Sequence, residues 1–125
     1  MLQDSPMYSY IPAKDVARAR QFYEGKLGFR VKEVMNGGVV YASARGTACF
    51  LYPTPNAGTS QASQAFWDVK DIEAEVAELK RRGVTFENYG MPGTDANGIT
   101  TAGGAKAAWF KDSEGNIMAI IQTVR

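Results

Sequence analysis

The sequence predicts an α+β fold: two tandem βαβββ modules forming an open, barrel-like sheet with a concave pocket. Three observations predict it. Ala13-Lys14-Asp15-Val16 returns as Val69-Lys70-Asp71-Ile72, 56 residues later. The glycines that stop the two expected helices, Gly28 and Gly83, are 55 residues apart. The order of elements is the same in residues 7–53 and 64–124, and that agreement gives the two short matches their weight. A βαβββ unit covers one sheet face with its helix and leaves the other bare, so two units side by side line a shared concavity. At 125 residues the chain is expected to form one domain, spanning 1–125.

The elements follow in order. Met7 to Ala13 mixes aromatic and β-branched residues and reads as a strand. Asp15 is a helix cap, and the helix runs to about Lys26. Val16, Ala19, Phe22, Tyr23 and Leu27 recur at spacings of three and four and form its buried stripe. Gly28 stops it. Arg30 to Met35, Val39 to Ala44 and Thr47 to Tyr52 form a meander, because Asn36-Gly37-Gly38 and Arg45-Gly46 supply the positive φ angles of tight hairpins. Pro53 to Ser63 has linker composition. The pattern then restarts. Gln64 to Val69 is a strand, Asp71 a cap, and Ile72, Val76 and Leu79 the stripe of a second helix ending at Gly83. Thr85 to Tyr89, Ala105 to Lys111 and Ile117 to Val124 are strands, the last two joined by a tight turn at Ser113-Glu114-Gly115-Asn116. Gly90 to Gly104 is long for a connector. It is either a lid, with Tyr89 and Met91 closing over an apolar guest, or a surface hairpin around Asn97-Gly98.

Composition removes several function classes. Hydrophobic residues at 45% and charged residues at 22% argue against disorder, collagen and coiled coil. Fourteen basic against 13 acidic residues leave a net charge of +1, without the basic excess of a nucleic-acid binder. No run approaches the roughly 20 apolar residues that span a bilayer, and Met1 to Pro6 carries Asp4 rather than an export signal. The expectation is a cytoplasmic protein with no nucleic-acid or membrane partner. Cys49 is the only cysteine, so there is no disulfide within the chain and no thiolate-rich zinc site. Its apolar strand marks it as a buried, inert thiol. The absence of histidine excludes imidazole bases, Ser-His-type catalysis and every His-containing metal site.

Several segments resemble the vicinal oxygen chelate superfamily, also called the glyoxalase, bleomycin resistance protein and extradiol dioxygenase family. They are Ile11-Pro12-Ala13-Lys14-Asp15, then Ala17-Arg18-Ala19-Arg20, Phe22-Tyr23 and Leu27-Gly28-Phe29. Asp68-Val69-Lys70-Asp71-Ile72 and Lys111-Asp112-Ser113-Glu114-Gly115-Asn116 follow, the last with Ser113 where the family usually has Pro. The resemblance covers nearly the whole chain and implies the fold. It leaves function open, since the family includes isomerases, lyases, epimerases, dioxygenases, thiol transferases and antibiotic-sequestering proteins. Most of the matched residues read as structural: Phe22, Tyr23 and Leu27 as core, Asp15 and Asp71 as caps, Asp112 and Asn116 as partners of turn amides.

The resemblance implies four ligand positions in metal-using members. Two lie seven residues before the capping aspartates, which here are Tyr8 and Gln64. One lies three residues after the turn asparagine, which is Ala119. The fourth, aligned through Gly46 and Gly115, is Phe50; a one-residue slip nominates Cys49 and the opposite sheet face. Ala119 and Phe50 carry no donor atom, so the inherited chelating set is lost and no metal or other cofactor is expected. Residues two apart on a strand share a face. The lining therefore extends to Tyr10, Tyr52, Phe66 and Ile121, together with Ala48 and Ile117. Trp109 is counted with it as a candidate, although the facing of Trp67 and Trp109 stays open. The candidate ligand-binding residues are Tyr8, Tyr10, Phe50, Tyr52, Gln64, Phe66, Trp109, Ala119 and Ile121. Such a lining suits a small, mostly apolar or aromatic molecule, bound without a metal by a homodimer. The alternatives are a lyase, isomerase or dioxygenase-like activity on a small metabolite, a partner-binding adaptor that works through its outer surface, or a lining that simply fills the barrel.

Overall fold

The computed structural model describes residues 1–123; Val124, the expected end of the last strand, lies outside the described residues. The first half contains β1 (Ser9–Ala13), α1 (Val16–Arg20), β2 (Val31–Met35), β3 (Gly38–Ala42) and β4 (Ala48–Pro53). The second contains β5 (Ala65–Asp68), α2 (Ile72–Arg81), β6 (Phe86–Glu87), β7 (Thr100–Ala102), β8 (Ala105–Lys111) and β9 (Ile117–Thr123). The halves form two separate sheets with the same internal order, β1-β4-β3-β2 and β5-β9-β8-β6, and neither closes into a barrel. In each, the first strand runs parallel to the last and the other pairs are antiparallel.

Both capping aspartates act as their spacing requires. Asp15 Oδ1 accepts the Arg18 amide at 3.0 Å and Asp71 Oδ1 accepts the Ala74 amide at 3.1 Å. The first helix differs from expectation after Arg20, where it widens into a π-helical stretch over Gln21–Lys26. The Leu27 amide reaches back five residues to the Phe22 carbonyl. Consecutive residues Phe22 and Tyr23 are both buried there, with rings 5.4 Å apart.

The second half departs from the simple repeat at β6. The expected strand Thr85 to Tyr89 shrinks to two residues because the edge of β8 is shared. Phe86 and Glu87 pair with Phe110 and Trp109, while Thr100 to Ala102 pair with Ala107 to Ala105. The Gly-rich segment thus supplies an additional strand. The hairpin reading describes residues 94–100: Thr94 bridges to Thr100, and Asp95 Oδ1 accepts the Asn97 and Ile99 amides.

One apolar core lies on the helix-covered faces of both sheets. Ile11, Val39, Tyr41 and Leu51 meet Phe22 and Tyr23, and Ile72, Val76, Phe110, Met118 and Ile120 continue the same cluster. Trp67 joins it, with its ring 5.5 Å from Phe29 and 6.2 Å from Phe110.

The turn between β8 and β9 locks the halves together. Glu114 has a fully buried side chain, at 0% exposure. Its carboxylate accepts the Asp15 amide at 2.9 Å, Arg18 Nε at 2.8 Å, Arg18 Nη2 at 3.0 Å and the Ser113 hydroxyl at 2.9 Å. Asp112 accepts the Glu114 and Asn116 amides and also the Tyr23 hydroxyl at 2.6 Å. Asn116 donates to the Pro12 carbonyl at 2.8 Å and accepts the Gly58 amide at 3.2 Å. Every group in this network is paired, which is what makes burying two carboxylates tolerable.

Candidate functional site

The helix-free face of each sheet carries one lateral row of side chains, set by strand register. In the first sheet the row is Tyr10, Phe50, Val40 and Glu33, one residue from each strand. In the second it is Phe66, Ala119, Trp109 and Glu87. Residues directly opposite across a ladder share a face, and the face alternates along each strand. The core residues Ile11, Leu51 and Val39 alternate with the first row and so lie on the other side.

This register settles which residue is equivalent to Ala119. Phe50 stands opposite Tyr10 as Ala119 stands opposite Phe66, so the alignment through Gly46 and Gly115 is the right one. Cys49 turns into the core and is buried there. Burial pushes its thiol up to about 11 despite a backbone hydrogen bond from Tyr41. Register also gives Trp109 its facing, beside Ala119 and away from Trp67.

Tyr10, Phe50 and Tyr52 come together on the first sheet, while Tyr8 precedes it, because β1 starts at Ser9 rather than at Met7. The Tyr10 ring lies 4.9 Å from Tyr52 and 6.1 Å from Phe50, and Phe50 and Tyr52 are 6.3 Å apart and nearly parallel at 18°. Tyr10 nevertheless remains 61% exposed. Gly38 on β3 makes room for Phe50. A Cβ at that position would stand 2.9 Å and 3.0 Å from ring carbons of Phe50 and 2.2 Å from the Leu51 carbonyl oxygen. Tyr8, Tyr10 and Phe50 line a pocket of about 470 Å³. Lys32, Glu33, Met35, Asn36 and Val40 complete most of its wall, and sequence reasoning missed all five. Val40 was within reach of that reasoning, since the Asn36-Gly37 turn pairs β3 with β2. Lys32 and Glu33 were not, because their common placement depends on an irregularity in β2.

Phe66, Trp109, Ala119 and Ile121 form a second group on the other sheet. Phe66 is 59% exposed and Ala119 is buried. Tyr89 meets Trp109 edge-on with ring centroids 6.1 Å apart. Gln64 connects the groups: its Nε2 donates to the Tyr10 carbonyl at 3.1 Å, and its own amide donates to the Ile117 carbonyl at 2.7 Å. Among the described residues no ring contact joins the two groups, so the nine candidate residues make two aromatic patches rather than one ring of ligands.

The four positions inherited from metal-using relatives do not fit a metal ion. Phe50 and Ala119 offer no lone pair, and the other two positions supply only the neutral Gln64 amide oxygen and the Tyr8 phenol, too few donors and no carboxylate for a divalent ion. Among the described residues no group of three or more acidic or cysteine side chains lies within metal-binding reach. No described helix is long and apolar enough to cross a membrane.

Comparison with known proteins bears on the fold. The structure superposes on TnmS3, an antibiotic binding protein from Streptomyces sp. CB03234, with a TM-score of 0.76, 21% identity and 98% of each chain covered. A glyoxalase/bleomycin resistance protein from the same organism gives 0.69 and 21%, covering 93% of this chain and 98% of that one. A virulence protein from Salmonella typhimurium gives 0.71 and 21%, covering 99% and 100%. At these identities the likeness is one of fold. No curated protein sequence matches the chain. The family description "Glyoxalase/Bleomycin resistance protein/Dioxygenase superfamily" matches residues 6–120, and the chain belongs to that family.

Proposed function

We propose that this protein binds a small, mostly apolar or aromatic molecule on the helix-free face of its sheets, without a metal and without turnover. The observation that carries this reading is the exposed aromatic surface of the first sheet. Three aromatic residues, Tyr8, Tyr10 and Phe50, line a pocket of about 470 Å³, and the Tyr52 ring packs against Tyr10 beside it. That volume is in the range that holds a drug-sized molecule, and ring faces offer it stacking surfaces. The loss of lone pairs at two of the four inherited ligand positions supports metal independence. The structural likeness to an antibiotic-binding protein supports sequestration as the role.

The binding unit in this reading is a cytoplasmic homodimer. Phe66 at 59% exposure and Val34 at 62% are large apolar side chains that a second copy can cover. Light scattering at micromolar concentration should therefore give twice the mass of one chain, and a single-chain mass would remove the dimer from the proposal.

The test of function is a thermal-shift screen of planar aromatic antibiotics and metabolites in the presence of EDTA, with mass spectrometry on every compound that stabilises the protein. Saturable stabilisation with the compound recovered intact is the expected result. A compound returned chemically changed would replace binding with catalysis, and a silent screen would remove small-molecule binding altogether.

A further inference from the structure

The pocket wall contains a charge placed there by a local irregularity. β2 pairs with β3 at Val31–Tyr41 and then at Glu33–Val40, so Lys32 is the extra residue of a bulge. Consecutive residues of a regular strand face opposite ways. Here Lys32 and Glu33 both line the pocket. β2 is solvent-exposed along its whole length, so the bulge buries nothing. Re-aiming a side chain beside a site is a common use of such bulges. Among the described residues Lys32 forms no ion pair.

Comparing the two halves separates Lys32 from Glu33. Glu33 ends the lateral row of the first sheet, and Glu87 ends the matching row of the second. An acidic residue at that place thus belongs to the repeat as a whole. Lys32 has no counterpart, because β6 is two regularly paired residues without a bulge. The half that carries the Tyr8, Tyr10 and Phe50 pocket is also the half with the extra cation. Around it the lining offers further donors in the Tyr8 and Tyr10 phenols and the Asn36 amide.

We propose that Lys32 is the specificity-determining residue of this site, and that the ligand it selects is a planar aromatic molecule carrying an anionic oxygen group. This rests on the binding reading above and adds to it the charge of the ligand. The ring system lies against Tyr10 and Phe50, and the anionic group takes the Lys32 ammonium.

Two fluorescent probes that differ by one sulfonate test this: neutral N-phenylnaphthylamine and anionic anilinonaphthalene sulfonate. The wild-type protein should bind the sulfonate about fivefold more tightly, the effect of one exposed charge contact. Lys32→Met should erase that preference while leaving the neutral probe within about twofold, and Lys32→Arg should restore it. Glu33→Gln should strengthen sulfonate binding. Lys32 is exposed on an edge strand, so unchanged melting is expected and checks that each variant is folded. If both probes bind the wild type equally, or Lys32→Met keeps the preference, the charge assignment fails and the binding reading stands. If neither probe binds, both fail.

Discussion

Replacing Glu114 by Gln tests the contact that joins the two halves. The substitution keeps the shape and removes the charge. The carboxylate receives four hydrogen bonds, two of them from Arg18, and its side chain is fully buried. Burial alone would raise its pKa, but the Arg18 hydrogen bonds, the Asp15 amide and the Ser113 hydroxyl outweigh it and hold the group at about 2, against an ordinary 4.5. A shift of about 2.5 units corresponds to about 3 kcal/mol of stability at neutral pH. Because the folded-state pKa is depressed, that stability is complete above about pH 4.5 and is lost as pH falls toward 2, with about half gone by pH 3. In the variant an amide N–H must face one of the donors, so the loss at pH 7 should be about 3 kcal/mol. For 125 residues the unfolding entropy is about 260 cal/mol/K, which makes the loss about 10 °C in Tm. Urea unfolding of both proteins from pH 7 to pH 3 is the assay. The reasoning is refuted if the variant loses less than about 0.5 kcal/mol, the level of an ordinary surface change. It is equally refuted if the difference between the proteins does not shrink on acidification.

Other outcomes follow from single contacts. Gly38→Ala should cost about 2 kcal/mol or more, because the new methyl meets the Leu51 carbonyl oxygen, and its urea midpoint should fall accordingly. Tyr23→Phe removes the 2.6 Å hydrogen bond to Asp112 and should cost about 1.5–3 kcal/mol by the same assay, with no cavity to add to it. Cys49 should resist a disulfide reagent at pH 8, where a thiol near 11 is about one part in a thousand thiolate, and react fully in denaturant.

How much of this was legible in the sequence depends on how local each cause is. The caps at Asp15 and Asp71 act within one helical turn, and the repeat carried them onto the page. The equivalence of Phe50 and Ala119 followed from aligning Gly46 with Gly115, but Cys49 stayed an alternative one residue and one sheet face away until the β1–β4 register placed Phe50 opposite Tyr10. The facing of Trp109 needed the β8–β9 register. The bulge at Lys32 needed the pairing of β2 with β3, and nothing in Arg30 to Met35 marks it. In sequence Glu114 is only one residue of the tight turn Ser113-Glu114-Gly115-Asn116. Its burial arises only when that turn docks on the first turn of α1, nearly a hundred residues earlier in the chain. The shortening of β6 has a similar origin, since β8 has one free edge and two segments compete for it.

The claim on which the account rests is that the Tyr10–Phe50 face is a working surface that needs no ion. The most direct measurement is a titration of N-phenylnaphthylamine into wild-type protein and Phe50→Ala, with EDTA present throughout. The account predicts saturable binding to the wild type, weakened about tenfold when the Phe50 ring is removed. Binding that requires an added divalent ion, that does not saturate, or that is indifferent to the loss of Phe50 would contradict it.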